Sequence, residues 1–222
     1  METYQVELKG AEAEQIGCRS RLYSLLSSGF RFPSAEIYEG AKTGKFAADI
    51  QAVITNLPYS GLTAGELGRE TGLSCEEFQS NYIGLFEVGN NDGPPCFLYE
   101  AEYAGGRMKV MEEVLRFYHH FGLRLSTEKR DRPDHLASEL EFMHLLTFKE
   151  AKAMVDGKES GAYLKAERDF LRFHLSDLLM AVGKRVGGNR VLFYTDLAHL
   201  AENFCQKELA YLLTVGKGGK SD

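Results

Sequence analysis

The chain has 222 residues, 44% hydrophobic and 26% charged, with Lys+Arg 26 against Asp+Glu 32 and a formal net charge of −6. That length can bury one real core or two small ones, and the acidic balance disfavours a nucleic-acid binder while suiting a basic partner. No run approaches the ~18 apolar residues that span a bilayer; the opening Met1-Glu2-Thr3-Tyr4-Gln5-Val6-Glu7 lacks the basic and apolar regions of a secretory leader, so the expected location is the cytoplasm.

In chain order, a first helix is expected over 9–30, with Ile16, Leu22, Tyr23, Leu25, Leu26 and Phe30 on its apolar side. Gly29 and Pro33 give it a stop. Ser34 can cap a second helix through about Asn56, bearing Ile37, Tyr38, Phe46, Ile50, Val53 and Ile54. Residues 57–73, rich in Gly, Pro and polar side chains, read as a long connection. Ser74-Cys75-Glu76-Glu77 fits a capping box for a third helix to about Phe86, with Phe78, Tyr82, Leu85 and Phe86 spaced for one face. Glu87 to Tyr99 is irregular and punctuated by Asp92-Gly93-Pro94-Pro95. Its Phe97, Leu98 and Tyr99 are too apolar for solvent, which predicts an ordered loop pinned to the body.

A fourth helix is expected from about Glu102 to Phe121, with Met108, Met111, Val114, Leu115 and Tyr118 as its core stripe. Gly105-Gly106 early in it reads as a close helix contact or a distortion rather than a phosphate cradle. After the polar 126–130 turn, Pro133-Asp134-His135 opens a central helix that ends near Gly157. Proline suits the first helical turn and aspartate the positive end of the dipole. This helix carries Leu136, Leu140, Met143 and Ala151 on one side and Phe142, Leu145, Leu146 and Phe148 on others. A helix apolar nearly all round belongs in the middle of a bundle. A sixth helix covers about Ala162–Val182, 183–189 is a turn, and a seventh runs from about Val191 to Thr214. No period-2 strand and no repeat is visible. The expectation is an all-α, single compact multi-helix domain over 1–215 with a frayed tail at 216–222.

Asp134–His135 supports two readings. One is a helix start, with Asp134 capping and His135 a half-buried imidazole. The other is a recognition or acid–base element, since Asp beside His tunes a proton near neutral pH; no partner nucleophile is evident. Glu141-x-x-His144 is half of a di-iron signature and supports an alternative, a metal-dependent helical-bundle oxidoreductase. At about 100° per residue, Glu141 and His144 lie roughly 140° and 80° round from Leu136, and His135 and Glu139 roughly −100° and −60°. These four cannot converge on one ion. Cys18, Cys75, Cys96 and Cys205 form no CxxC pair, which reads as free thiols in a reducing compartment. No Walker loop, Rossmann glycine pattern or nucleophile elbow occurs. The aromatics Tyr82, Phe86, Phe97, Tyr99 and Tyr103 read as core, or as a groove that receives a peptide segment.

Three stretches resemble the TorD/DmsD/NarJ-type redox-enzyme maturation chaperones. They are Tyr82-Ile83-Gly84-Leu85-Phe86 with the loop to Pro94-Pro95, Tyr99-Glu100-Ala101-Glu102-Tyr103, and Pro133-Asp134-His135-Leu136 continuing through Glu139 to Met143. The Arg-Pro-Asp-His-Leu form looks closest to the branch serving type II dimethyl sulfoxide reductase-family enzymes. The resemblance implies a cytoplasmic all-helical chaperone with no chemistry or cofactor of its own. It would bind the apo catalytic subunit of a molybdenum oxidoreductase, or its twin-arginine signal peptide, until the molybdopterin cofactor is inserted. Tyr82, Leu85, Phe86, Pro94, Pro95, Tyr99, Glu100, Tyr103, Pro133, Asp134, His135 and Glu139 would then be client-binding, with Asp134, Glu100 and Glu139 meeting the client's arginines. Departures from the family pattern are Asp131-Arg132 in place of a Glu before the Pro, Ala101 where Ser is common, and no Trp. The 122–132 connection could serve as the hinge of a domain-swapped dimer, with a monomer equally allowed.

Overall fold

The computed structural model describes residues 10–65, 67, 72–89, 93–124, 132–187 and 192–218. Among these, the named elements are all helical, and an isolated antiparallel bridge joins Tyr99 and His135. Helix α1 spans Ala11–Gly29. The single helix expected from Ser34 is two, α2 (Ala35–Thr43) and α3 (Lys45–Ile54). Ser34 does cap α2, accepting the Ile37 N–H at 3.3 Å, but Gly44 at φ 75° turns the chain left-handed and ends it. The 57–73 connection forms no helix among its described residues.

Helix α4 (Cys75–Tyr82) opens with the expected capping box. Glu77 N–H donates to Ser74 Oγ at 3.2 Å, and Ser74 N–H donates back to Glu77 Oε2 at 2.7 Å. It continues into a π-helical turn, Ile83–Glu87. The expected fourth helix is also broken: Gly105 and Gly106, at φ 68° and 73°, separate a short α5 (Ala101–Ala104) from α6 (Arg107–His120). The break resets the phase, so Met108 is exposed and Val110 joins Val114 and Tyr118 in the core.

The central helix α7 spans Leu136–Val155. α8 (Gly161–Phe170), a second π-helical turn (Leu171–Leu175) and α9 (Ser176–Val186) form one continuous rod, and α10 runs Leu192–Gly218. α10 therefore passes the expected end at Thr214, and 219–222 lie outside the described residues.

As expected for a helix apolar all round, α7 buries Leu136, Leu140, Phe142, Met143 and Leu146 completely. One side packs along α1, where Ser27 Oγ donates to the Ala137 carbonyl at 2.8 Å and Ser20 Oγ to the His144 carbonyl at 3.1 Å; Phe142 meets Tyr118 of α6 and Phe170 of α8, each at 4.8 Å between ring centroids. Phe78 meets Phe193 and Tyr82 meets Tyr194 edge to face, at 5.3 and 5.7 Å respectively between ring centroids, fixing α4 to the start of α10.

A fully buried guanidinium ties the helices at the other end of α7. Arg19 of α1 donates to Glu150 of α7 at 2.8 Å, to Glu208 of α10 at 2.7 Å and to Glu167 of α8. Tyr59 in the 57–73 connection also donates to Glu208, at 2.5 Å. Burial raises the Glu150 and Glu167 carboxyls above their ordinary range despite the pull of Arg19. Replacing Arg19 with Leu leaves three buried carboxylates without their cation, and breaking such a set costs about 3–5 kcal/mol. Urea midpoints of R19L should show that loss near neutral pH. The deficit should shrink towards about pH 5, where protons can substitute for the missing charge.

Candidate functional site

The motifs at 99–103 and 132–136 lie against each other. Glu100 N–H donates to the Asp134 carbonyl at 2.9 Å and Leu136 N–H to the Leu98 carbonyl at 2.8 Å, bracketing the Tyr99–His135 bridge. Asp134 supplies the reason for this pairing. Its carboxylate is fully buried and accepts from Arg132 Nε at 3.0 Å, Arg132 Nη2 at 2.7 Å and the Ala101 N–H at 3.0 Å. Arg132 reaches on to Glu102 at 2.6 Å, and its guanidinium lies 4.4 Å from the centroid of the Tyr99 ring. Tyr118 of α6 pins the preceding residue by donating to the Pro133 carbonyl at 2.9 Å.

Asp134 is therefore not the helix cap. That role falls to His135, whose Nδ1 accepts the Ala137 N–H at 3.1 Å. An accepting Nδ1 leaves the proton of the neutral ring on Nε2. The His135 ring stands edge-on to Tyr99 at 5.0 Å.

A cavity of about 300 Å³ opens beside the bridge. Tyr82, Phe86, Pro94, Phe97 and Leu98 form its apolar side, Tyr99 and His135 its base, and Glu87, Glu102, Arg107 and Arg132 its charged edge. Tyr82 is held by donating to the Phe30 carbonyl at 3.0 Å, and the loop returns to the body through Cys96 N–H, which donates to the Leu85 carbonyl at 3.0 Å. This is the pinned loop that the apolar run at 97–99 predicts.

The twelve expected site residues divide by access. Tyr82, Phe86, Pro94, Tyr99 and His135 line the cavity. Pro95 is exposed nearby, and Leu85 and Pro133 are buried behind. Tyr103 points away, donating to the Phe97 carbonyl at 2.8 Å beneath the guanidinium of Arg185. Asp134, Glu100 and Glu139 were expected to meet a client's arginines; all three are buried, with Asp134 and Glu100 hydrogen-bonded inside the fold. The acidic groups that do face the cavity are Glu87 and Glu102. Arg132, Glu102 and Arg107 carry no helical periodicity and are absent from the expected set. His174 is a further buried partner, its Nδ1 lying 3.1 Å from both carboxyl oxygens of Glu100; the two are 74 residues apart, so no local pattern announces them.

Glu139 lies below this layer with neither carboxyl oxygen accepting a hydrogen bond. Burial first, and then the nearby charges of Glu100 and Asp134, raise its carboxyl well above the ordinary range. The neutral acid, donating to Glu100, is the form this site accommodates.

Glu141 and His144, on the same side of α7, are taken up by different partners. Glu141 pairs with Arg31 at the surface, while His144 Nδ1 sits 2.8 Å from Ser20 Oγ. Among the described residues no group of three or more His, Cys, Asp or Glu is placed to hold a metal, and no helix is long and apolar enough to cross a membrane.

Residues 43–180 match the family model described as nitrate reductase delta subunit. The chain is 34% identical over 202 residues to the perchlorate reductase assembly chaperone protein of Dechloromonas aromatica (strain RCB), covering 88% of this chain and 90% of that one. It is 32% identical over 170 residues to the dimethyl sulfide dehydrogenase assembly chaperone protein of Rhodovulum sulfidophilum, covering 72% and 66%. A crystal structure assigned to a redox enzyme maturation protein of Archaeoglobus fulgidus superposes with a TM-score of 0.52 at 18% identity, over 92% of this chain and 99% of that one. At that identity the likeness concerns the all-helical fold alone.

Glu139 gives a pH test. A carboxyl raised in the fold binds its proton more tightly than in the unfolded chain. Its stabilisation is complete below the ordinary value of 4.5 and is lost as pH climbs through the raised one. Gln keeps the shape and a donor but cannot ionise. The urea midpoint of E139Q should accordingly fall less than that of the parent between about pH 5 and 8, and the two curves should separate as pH rises.

Proposed function

Because this chain belongs to the nitrate reductase delta subunit family of redox-enzyme maturation chaperones, we propose that it is a cytoplasmic assembly chaperone for a molybdenum oxidoreductase. It binds the apo catalytic subunit, or that subunit's twin-arginine signal segment, until the molybdopterin cofactor is inserted and export can follow. The observation that carries this reading is the match to an assembly chaperone along 90% of that protein's length. The relatives are assembly chaperones rather than catalysts, which favours this reading over an oxidoreductase built on Glu141 and His144.

The cavity beside the Tyr99–His135 bridge is the proposed anchor for the client. A volume of about 300 Å³ admits one or two side chains rather than a folded surface. The rest of the contact must come from the rim. Val88 and Met108, 60% and 66% exposed, each follow a cavity-lining residue, Glu87 and Arg107. Exposed apolar groups gathered round a cleft are the ordinary mark of an interaction surface. A short apolar segment entering there gains hydrophobic burial at about 25 cal/mol per Å², and Glu87 offers its basic flank a charge.

Tagged protein recovered from its native cytoplasm should carry an immature oxidoreductase catalytic subunit as its main partner, identified by mass spectrometry. Recovery of no such subunit would remove the chaperone reading. With a partner in hand, H135A should recover much less of it. Loss of the cap should lower stability by only about 1 kcal/mol, and helical circular dichroism should be unchanged.

A further inference from the structure

Arg132 occupies a site that is built without it. Three groups surround its guanidinium: the face of Tyr99 at 4.4 Å, the buried Asp134 carboxylate at 2.7 and 3.0 Å, and Glu102 at 2.6 Å. Each is held by something other than Arg132. The Tyr99 backbone is fixed by the bridge to His135, Asp134 by the Ala101 N–H at 3.0 Å, and Glu102 by Arg107 at 2.9 Å. The site opens on the cavity, where Arg132 itself is 22% exposed. An aromatic face with a forked carboxylate at its edge and a second carboxylate beyond is what a guanidinium selects over an ammonium, because only the planar fork satisfies all three at once.

We propose that Tyr99, Asp134 and Glu102 form a guanidinium-binding site filled in cis by Arg132, and that an arginine of the client binds by displacing it. The first half stands on this geometry alone; the second rests on the reading that the cavity receives a client segment. An arriving arginine makes the contacts that Arg132 gives up, so exchange gains little net energy and stays reversible. Arg132 lies two residues from Asp134 and acts as a tethered competitor, with an effective concentration on the order of millimolar or higher. It holds the affinity for any single client arginine down, and closes the buried Asp134 again once the client leaves.

The test uses the full chain as parent, R132A and R132K, titrated calorimetrically with acetyl-Arg-Arg-amide and acetyl-Lys-Lys-amide. Melting temperatures are taken in millimolar methylguanidinium or methylammonium. R132A should bind the Arg-Arg peptide at least roughly tenfold more tightly than the parent, a difference of about 1.4 kcal/mol. R132K, which keeps the charge without the fork, should lie between. Methylguanidinium, but not methylammonium, should raise the melting temperature of R132A and leave the parent unmoved, and adding E102Q to R132A should cancel most of the gain. Equal affinity of parent and R132A, or equal binding of the Lys-Lys peptide, would overturn the proposal. Should R132A fail to fold alone, folding restored by methylguanidinium supports the site, and no restoration overturns it. None of these readouts needs the client, so a pull-down without an oxidoreductase subunit would leave them standing.

Discussion

A carboxylate with no access to water must find its counter-charge within the protein, and Asp134 imposes that requirement on everything around it. Arg132 answers it from two residues away, and the Ala101 N–H answers it from across the chain. The Ala101 contact, with Glu100 N–H on the Asp134 carbonyl, draws 132–136 antiparallel to 98–102. That pairing starts α7 at Leu136, places His135 where it can cap, and sets the Tyr99 ring as the base of the cavity. The cavity is thus a by-product of neutralising one buried charge. Its shape is fixed by hydrogen bonds of 2.7 to 3.0 Å rather than by the adaptable packing of apolar side chains, which suits a site that must stay formed while empty.

The fully buried arginine follows a different logic. Arg19 is sealed, with 0% of its side chain exposed, and three carboxylates from three helices converge on it. It faces more negative charge than it can neutralise, and burial raises the Glu150 and Glu167 carboxyls above their ordinary range despite its pull. Arg132 stands at the lip of a cavity with 22% of its side chain exposed. Both arginines compensate buried acids, but only the second can leave its partners without opening the core.

Much of the helical arrangement is legible from apolar spacing, because a bundle helix must present its side chains at 3- and 4-residue intervals whatever its neighbours. The all-round apolar pattern of 136–151 marks the central helix, and the capping box at Ser74 marks the start of α4. Two helix breaks escape such reading. Gly44 and Gly105-Gly106 are compatible with a helix interior at modest cost, and only their left-handed backbone shows them to be stops. The misplaced Met108 follows from the second break, since a stripe projected through it keeps the wrong phase.

The motifs at the site are visible in the sequence, but which way their side chains face is not. Asp, Glu and Arg in a loop suggest a solvated, client-facing surface by composition, whereas Asp134, Glu100 and Glu139 are buried by contacts with residues 33 to 74 positions away. The departure at Arg132 is the informative signal. A buried aspartate in a turn needs a cation within reach of a short side chain, and the residue two positions earlier supplies it without help from tertiary structure. Glu139 extends the same constraint inward. Burial, together with the nearby Glu100 and Asp134, raises its carboxyl well above the ordinary range, and neither of its oxygens accepts a hydrogen bond among the described residues. The layer beneath the cavity therefore favours Glu139 as the neutral acid.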